Sequence, residues 1–463
     1  MENGGTMTFE TVNPATGQPI ETYEEMPAGE VLDVASRMHR TFLGWRTLSV
    51  EERVPYVRRL ADVLRANRQA YAELMTREMG KPLRESLAEV EKCAWMAEVY
   101  ADNAPAWLAD EAVEADGLEH RVVFQPLGVI LAVMPWNFPF WQALRCAVPA
   151  LLAGNAVLLK HASVCTGSGL AIEQAFVKAR CPGDVFRTVV AGHDTVERLI
   201  ASEQVQGVSL TGSVEAGRAV AGRAGWHLKK MVLELGGSDP FVVLDDVDVD
   251  MVAEQATRGR MLNTGQSCIA AKRFIVHEDV AGAFTERLAG HMRQRRVGDP
   301  LDMATEVGPL VDESAVHGME GFVKDAVEQG ATVVTGGRRL DRPGFFFQPT
   351  VLADVTRDMR VAREEVFGPV APICTVSDEN EAVQLANDTR FGLGGSVWTA
   401  DEERGMAIAR RIEAGCVFVN HITKSDPRLP FGGVKQSGIG RELARYGLRE
   451  FVNVKTLNRY GHG

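Results

Sequence analysis

From residue 128 onward, short β-rich apolar runs alternate with helix-like segments, and this alternation limits the possible folds more than any other feature. Runs such as Val129–Met134 and Val205–Leu210 are separated by segments such as Gly167–Ala179. Strands that alternate with helices predict a mostly parallel sheet with helices packed on its faces. A second alternating block follows the glycine pair Gly236-Gly237, so we predict an α/β protein with two such units. Ligands of parallel sheets bind at the carboxyl ends of the strands, where the chemical motifs of this sequence fall.

Charge and cysteine content argue against several classes of function. The 463 residues include 50 Lys and Arg against 62 Asp and Glu, which gives a net charge of −12. Such an acidic protein is not expected to bind nucleic acid or an anionic membrane. Seven cysteines without a C-x-x-C pair argue against a disulfide framework and predict a cytoplasmic protein. The start, MENGGTMTFE, does not resemble a signal peptide, and the ten histidines lack paired metal-binding spacing, so we expect no metal site.

Cys268 lies in the polar segment NTGQSC (263–268), between a helix-like stretch and a strand. A cysteine on such a turn can present both its sulfur and its own backbone N–H, as a nucleophile requires. The alternative is a small buried hydrophobic residue, which is the usual environment of a free cysteine.

Two further polar residues follow predicted strands. Glu234 ends an apolar strand before Gly236 and Gly237, and is either a solvated strand end or a placed base. Asn137 lies in PWNFP (135–139), where two prolines stiffen the turn. A rigid amide donor suits a developing oxyanion, but a packed aromatic turn with an Asx motif is equally compatible with this segment.

Two segments have features of a dinucleotide site. Lys160 and Ser163 follow the strand Ala156–Leu159, where dinucleotide folds usually carry an acidic residue that binds the ribose. The absence of that acid leaves room for a 2′-phosphate, although Lys160 could also be an ordinary surface lysine. Gly212 and Ser213 open a helix after a strand, which suits a pyrophosphate or a simple N-cap.

Taken together, six segments in this order resemble the aldehyde dehydrogenase superfamily, and the resemblance runs from NPATG (13–17) to the tail. The six are PWNFP (135–139), LTGS (210–213), ELGGSDP (234–240), GQSC (265–268), EEVFGP (364–369) and PFGGVKQSGIGRE (430–442).

The resemblance implies a role for each residue that matches a family motif. Cys268 corresponds to the nucleophile, Asn137 with the Cys268 N–H to the oxyanion hole, and Glu234 to the base that hydrolyses a thioester. It also implies contacts with NADP, or less favourably NAD, from Trp136, Asn137, Lys160, Ser163, Gly212, Ser213, Leu235, Glu365 and Phe367.

Within the superfamily, the segments around NGQSC and KSDPRLPFGG (424–433) most resemble succinate-semialdehyde dehydrogenases. The substrate implied is a small aldehyde with a terminal carboxylate, which needs a cation or several donors in its pocket. Arg145 and Ser425 are the expected partners of that carboxylate. Alternatively, Arg145 forms a surface ion pair and Ser425 caps a loop. Glutarate semialdehyde, which also ends in a carboxylate, is an alternative substrate. A CoA-acylating enzyme is an alternative activity, but Glu234 argues against it because a base that activates water is unnecessary when a thiol completes deacylation.

Two positions depart from patterns found in relatives. Ala270 stands where some semialdehyde dehydrogenases carry a second cysteine that forms a redox pair. Leu262 stands where some carry an arginine, and this difference weakens the support for a carboxylate pocket.

The resemblance also implies a division into domains and an oligomer. Residues 1–107 and 127–235 would form a Rossmann-like dinucleotide-binding domain, and residues 236–436 a second α/β domain that is catalytic. Residues 108–126 and 437–463 would form a small β element that joins subunits into a homodimer or homotetramer.

Overall fold

The structure is a computed structural model and describes residues 8–461. Its amino-terminal part is an antiparallel hairpin followed by four helices. Ser49 begins the second helix with a capping box that it forms with Glu52, and Gly80 ends the third in a left-handed conformation with φ of 80°. The elements are β1 (Thr8–Asn13), β2 (Gln18–Glu24), α1 (Ala28–Trp45), α2 (Val50–Ala66), α3 (Arg68–Met79) and α4 (Leu83–Trp107).

The first large sheet has five parallel strands and one short antiparallel strand at its edge, in the order β17-β9-β8-β5-β6-β7. Its elements are β5 (Val129–Met134), α5 (Pro139–Leu152), β6 (Ala156–His161), α6 (Thr166–Lys178), β7 (Phe186–Val189), α7 (His193–Ala201), β8 (Val205–Thr211), α8 (Val214–Trp226), β9 (Lys230–Glu234) and β17 (Gly438–Ile439).

The order of this sheet reverses between β5 and β8, because the chain runs from β5 outward to β7 and then returns to the other side of β5. A reversal of this kind opens a crevice at the carboxyl ends of the two strands, where dinucleotides bind in doubly wound folds. Asn137 follows β5 and Gly212 follows β8, so both lie at the crevice.

The second sheet has seven strands in the order β12-β13-β14-β11-β10-β15-β16, and all its pairs are parallel except β12 with β13. The strands are β10 (Asp239–Val243), β11 (Ala271–His277), β12 (Thr332–Thr335), β13 (Thr350–Ala353), β14 (Val370–Val376), β15 (Gly394–Trp398) and β16 (Cys416–Val419). The helices of this region and the one that follows it are α9 (Val249–Met261), α10 (Glu278–Gln294), α11 (Glu313–Glu328), α12 (Arg360–Arg363), α13 (Glu379–Asn387), α14 (Glu402–Ala409) and α15 (Ala444–Leu448).

The central strands of both sheets are buried on both faces. In β5, Val129 and Leu131 pack into one apolar cluster, whereas Ile130 and Ala132 pack into another on the opposite face. Successive strand residues point to opposite faces, so a strand covered by helices on both sides must be apolar throughout. This explains the continuous apolar runs of the sequence and confirms the predicted α/β class.

A third, three-stranded antiparallel sheet extends from the two α/β units. It contains β3 (Glu111–Ala112), β4 (Glu119–Pro126) and β18 (Val452–Arg459), and β18 pairs with β4 along its whole length. The region from 437 onward is not all part of this arm, because β17 joins the first sheet next to β9. Among residues 8–461, no helix is both long enough and apolar enough to cross a membrane.

Candidate active site

The loop before Cys268 has an unusual backbone conformation. Asn263, Thr264 and Gly265 follow one another with φ of 52°, 57° and 79°. Left-handed backbone is costly for residues that carry a Cβ, and it persists at functional sites when the surroundings impose it. Here the hydroxyl of Thr264 accepts a hydrogen bond from the N–H of Gly308 at 3.0 Å, which fixes one side of the turn.

Buried polar side chains hold the rest of this loop. The Glu85 carboxylate accepts a hydrogen bond from the N–H of Asn263 at 2.7 Å. The Asn263 amide donates to the carbonyl oxygen of Asn137 at 2.8 Å, and the Asn137 amide donates to that of Gln266 at 3.1 Å. The loop that carries Cys268 and the turn that carries Asn137 are therefore joined by hydrogen bonds in both directions.

Cys268 lies where two cavities meet and forms part of the wall of each. Burial raises the pKa of its thiol to about 12, although Lys272 and Arg145 act in the opposite direction. Within the described part of the chain, nothing accepts a hydrogen bond from the Cys268 backbone N–H. The site thus holds a protonated thiol with two cations nearby and a free donor beside it.

Lys272 connects the loop of Cys268 to Glu365. Its ammonium group donates to the carbonyl oxygen of Cys268 at 2.6 Å and to the carboxylate of Glu365 at 2.9 Å. The same carboxylate accepts a hydrogen bond from the N–H of Gly237 at 3.1 Å. Lys272 is fully buried, so these contacts neutralise a charge that would be costly if left unpaired.

The first cavity, of about 600 Å³, lies at the crevice of the first sheet. The rings of Trp136 and Phe367 meet edge to face in its wall, with centroids 5.8 Å apart. Ser213 caps α8 by accepting a hydrogen bond from the N–H of Ala216 at 3.1 Å. Seven of the predicted cofactor residues line this cavity together: Trp136, Asn137, Gly212, Ser213, Leu235, Glu365 and Phe367.

The two other predicted cofactor residues, Lys160 and Ser163, line a separate small hollow near the end of β6. Burial lowers the pKa of Lys160, and the nearby carboxylate of Glu25 partly offsets that effect. The side chains that line the hollow include no carboxylate. The nearby Glu25 lies outside the hollow, and its carboxylate accepts a hydrogen bond from the N–H of Gly192.

Glu234 is buried at the end of β9 and is not part of either cavity wall. Neither of its carboxyl oxygens accepts a hydrogen bond from any residue in the range 8–461. Burial and the nearby carboxylate of Glu442 raise its pKa well above the ordinary value, and Arg145 opposes them. A buried carboxyl without partners is energetically costly and is typical of a residue kept for a function rather than for stability.

The second cavity, of about 860 Å³, lies on the other side of Cys268 and contains the two residues predicted to bind a carboxylate. Arg145 forms an ion pair with Glu442 and lies 5.0 Å from the ring centroid of Phe431. Burial is the largest single effect and disfavours its charge, but Glu442, Glu234, Cys268 and Cys146 together outweigh burial and raise the pKa of Arg145. Ser425 accepts a hydrogen bond from Lys92 at 2.7 Å.

The comparisons with known proteins agree with this geometry. The model of the aldehyde dehydrogenase family matches residues 1–457. The chain belongs to the aldehyde dehydrogenase family.

Several relatives of this aldehyde dehydrogenase are similar over nearly their whole length. A probable succinate-semialdehyde dehydrogenase [NADP(+)] from Synechocystis is 47% identical, covering 97% of this chain and 99% of the relative. A succinate-semialdehyde dehydrogenase [NADP(+)] from Deinococcus radiodurans is 45% identical, covering 98% and 95%. The crystal structure of succinic semialdehyde dehydrogenase from Streptococcus pyogenes with NADP+ superposes with a TM-score of 0.96 at 39% identity, covering 98% and 100%.

Three residues of this aldehyde dehydrogenase site were absent from the sequence prediction. Lys272 forms an ion pair with Glu365, and Glu442 forms one with Arg145. In both pairs the two residues lie far apart in the sequence. Lys92 lines the second cavity from α4. Two of the three had a local signal: Glu442 ends the motif PFGGVKQSGIGRE, and Lys92 recurs with Glu85 and Glu89 at the spacing of one helical face.

Proposed function

We propose that this aldehyde dehydrogenase oxidises succinate semialdehyde to succinate and uses NADP+ in preference to NAD+. The observation that carries the proposal is the position of Cys268 between two cavities of different character. One is built at the crevice of a doubly wound sheet, and the other is lined by the cations Lys92 and Arg145. Relatives at 45–47% identity carry the name of NADP(+)-dependent succinate-semialdehyde dehydrogenases, which supports the same assignment.

Cys268 is the proposed nucleophile. The fraction of the thiol that has lost its proton to solvent attacks the aldehyde carbon as thiolate; a C–S bond forms as the carbonyl π bond breaks, which gives a tetrahedral thiohemiacetal oxyanion on the enzyme. The oxyanion accepts hydrogen bonds from the free N–H of the Asn137 amide and from the Cys268 backbone N–H. The chemistry that NADP+ supplies when bound is acceptance of a hydride, and loss of that hydride leaves a thioester on Cys268.

Glu234 is the proposed base for hydrolysis of the thioester. In its deprotonated form it takes a proton from water, and the resulting hydroxide adds to the thioester carbon and releases the carboxylate and the thiol. Burial and Glu442 raise the pKa of its carboxyl well above the ordinary value, which lowers the fraction that is deprotonated at a given pH. Deacylation should therefore become faster as pH rises.

The residues of the first cavity suit a dinucleotide. The N-terminus of α8 at Gly212 and Ser213 provides partial positive charge and backbone donors for a pyrophosphate. Leu235 and Phe367 provide apolar surface for a nicotinamide, and the carboxylate of Glu365 is an acceptor for ribose hydroxyls.

Lys160 and Ser163 are the proposed contacts of the 2′-phosphate that distinguishes NADP+ from NAD+. An amine and a hydroxyl favour an added dianion, whereas the acidic residue usual at this place in NAD-binding folds would repel it. The hollow formed by the two residues lacks a carboxylate in its wall. NAD+ remains the weaker alternative.

Arg145 and Ser425 are proposed to face the carboxylate of the substrate from the second cavity. The Ser425 hydroxyl is available as a donor when it accepts from Lys92. Arg145 contributes a buried positive charge, although Glu442 already neutralises much of it.

The division of the chain and its assembly are also proposals. Residues 1–107 and 127–235 with β17 would bind the dinucleotide, residues 236–436 would carry Cys268, and the arm would join subunits in a homodimer or homotetramer. Val454 and Leu457 of β18 are exposed on the arm, as a subunit contact would require. All seven cysteines are free, which is consistent with the predicted reducing cytoplasm.

A panel of aldehydes measured with both cofactors tests this function. We expect the highest kcat/KM for succinate semialdehyde with NADP+, a lower value for glutarate semialdehyde, and a much lower one for butanal, which lacks the carboxylate. Free succinate should be the product with and without added CoA. Equal kcat/KM for succinate semialdehyde and butanal would refute the substrate assignment, and formation of succinyl-CoA would refute hydrolysis.

A further inference from the structure

Most charged side chains around the second cavity already have partners inside the protein. Arg145, which the sequence singled out for a carboxylate, is paired with buried Glu442. An arginine whose charge is neutralised in this way attracts a further anion less strongly than an unpaired cation does. The cavity therefore needs another cation if it is to select an aldehyde that ends in a carboxylate.

The acidic residues of the same wall are also occupied. Glu89 forms an ion pair with buried Lys81 and accepts hydrogen bonds from the N–H groups of Phe140 and Trp141, at 2.9 Å each. It thereby caps the start of α5, which suits an acidic side chain. Glu85, as described above, holds the loop of Cys268. Neither carboxylate is free to neutralise a cation elsewhere in the cavity.

Two cations of this cavity wall, Lys92 and Lys424, form no ion pair with a carboxylate among residues 8–461; Lys424 is exposed to solvent, whereas Lys92 is not. Lys92 lies on α4, is partly buried, and projects into the cavity that contains Cys268. Its ammonium nitrogen donates to the Ser425 hydroxyl at 2.7 Å and lies 4.2 Å from the ring centroid of Trp141. A lysine ammonium has three donors, so its contact with Ser425 leaves others for a ligand.

We propose that Lys92 is the residue that selects for the carboxylate of the substrate, acting with the hydroxyl of Ser425. This inference rests on the proposed function and names the cation that gives the second cavity its specificity. Leu262 lines the same cavity at the position where some relatives carry an arginine. Lys92 supplies a positive charge to that cavity from a different element, the helix α4.

The surroundings of Lys92 make this recognition sensitive to pH. Burial, and to a smaller extent Arg145 on α5, lower its pKa to about 8, whereas Cys93, Glu89 and Asp426 act in the opposite direction. A bound carboxylate stabilises the protonated form and raises the pKa again. As pH rises above about 8, the free enzyme loses this charge, and its preference for carboxylated aldehydes should fall while oxidation of neutral aldehydes does not.

The test compares kcat/KM for succinate semialdehyde and butanal in the wild type and in Lys92→Met. Charged hydrogen bonds contribute enough for us to expect a loss of about 10- to 100-fold for succinate semialdehyde, mostly through KM. Butanal should change by no more than about twofold, as for a substitution that removes no contact with the substrate. Lys324→Met on α11 is the matched control, because Lys324 is exposed and paired with Glu328, and it should leave both values unchanged.

Lys92→Arg provides a second readout, because arginine stays charged across the accessible pH range. This variant should keep a preference for succinate semialdehyde and lose the decline in that preference above about pH 8. If Lys92→Met lowers kcat/KM equally for both aldehydes, Lys92 has a structural role and the inference is overturned. The inference is also overturned if kcat/KM changes for neither aldehyde. If Lys92→Met does not fold, a wild-type preference that is constant from pH 7 to about 10 would overturn it instead.

Failure of this inference can be separated from failure of the proposed function. A wild-type enzyme that does not prefer succinate semialdehyde over butanal refutes the proposed function. A wild-type enzyme that has this preference, together with a Lys92→Met variant that retains it, refutes the role of Lys92 alone.

Discussion

Removal of the Asn137 side-chain amide should slow the first chemical step while leaving both ligands able to bind. One N–H of this amide donates to Gln266 at 3.1 Å, so one N–H remains for an oxyanion beside the N–H of Cys268. Loss of one such donor costs about 2.7–4 kcal/mol of transition-state stabilisation. At about 1.36 kcal/mol per tenfold change, Asn137→Ala should lower the rate of hydride transfer by about 100- to 1,000-fold.

The assay is stopped-flow measurement of NADPH formation at saturating aldehyde and NADP+. Because the lost interaction forms in the transition state, kcat and kcat/KM should fall together. Asn103→Ala is the matched control, since the Asn103 amide donates to the carbonyl oxygen of Val99 in the same helix, away from the site. NADP+ affinity, measured by fluorescence titration, should be unchanged in Asn103→Ala, and in Asn137→Ala it reports separately on the cofactor contact predicted for Asn137.

A second measurement separates loss of the donor from displacement of the thiol. The Asn137 amide also contacts the loop of Cys268, so its removal could move the sulfur. The rate at which iodoacetamide alkylates Cys268 reports on the thiol alone and should stay within about twofold of wild type. Hydride transfer that stays within about twofold of wild type in Asn137→Ala would refute the oxyanion assignment.

The remaining predictions concern the thiol, the base and the phosphate contact. Cys268→Ala should abolish oxidation but keep NADP+ affinity, and measurable steady-state turnover would contradict its role as nucleophile. Glu234→Gln should give a burst of about one NADPH per site and then stall, because base catalysis contributes about 10²- to 10⁴-fold; normal turnover would exclude it as the base. Ser163→Glu should lower the ratio of kcat/KM for NADP+ over NAD+ by charge repulsion, and an unchanged ratio would remove the support for Ser163. Since burial raises the pKa of Cys268 to about 12, alkylation of its thiol should accelerate from neutral pH to about pH 10, and a flat profile would show that the thiol is already ionised.

The buried strands could be predicted from the sequence because a strand covered on both faces must be apolar throughout. β5 matches the predicted bounds Val129–Met134 to the residue, and all but one of its residues are buried. The hairpin of β1 and β2 was missed because most of β2 is exposed and gives no apolar pattern. The two-residue strand β17 was missed because its pairing with β9 depends on contacts between distant parts of the chain.

The sequence predicted single residues of the site but not the pairs that they form with residues of other elements. The sequence pointed to Arg145, but not to Glu442, which changes what Arg145 can do by pairing with it. Similarly, Ser425 was identified without Lys92, the cation that contacts it from α4. These pairings arise from tertiary packing, which spacing along the chain does not encode.

The hydrogen bonds that hold the strained turn before Cys268 have a consequence for the synthesis and folding of the protein. Its anchors come from early and late parts of the chain, with Glu85 and Asn137 on one side and Gly308 and Val311 on the other. A nascent or truncated polypeptide that lacks either set cannot hold the turn in its left-handed form. The sulfur and the two proposed oxyanion donors would therefore come together only after the chain has been synthesised past Val311 and these parts have docked.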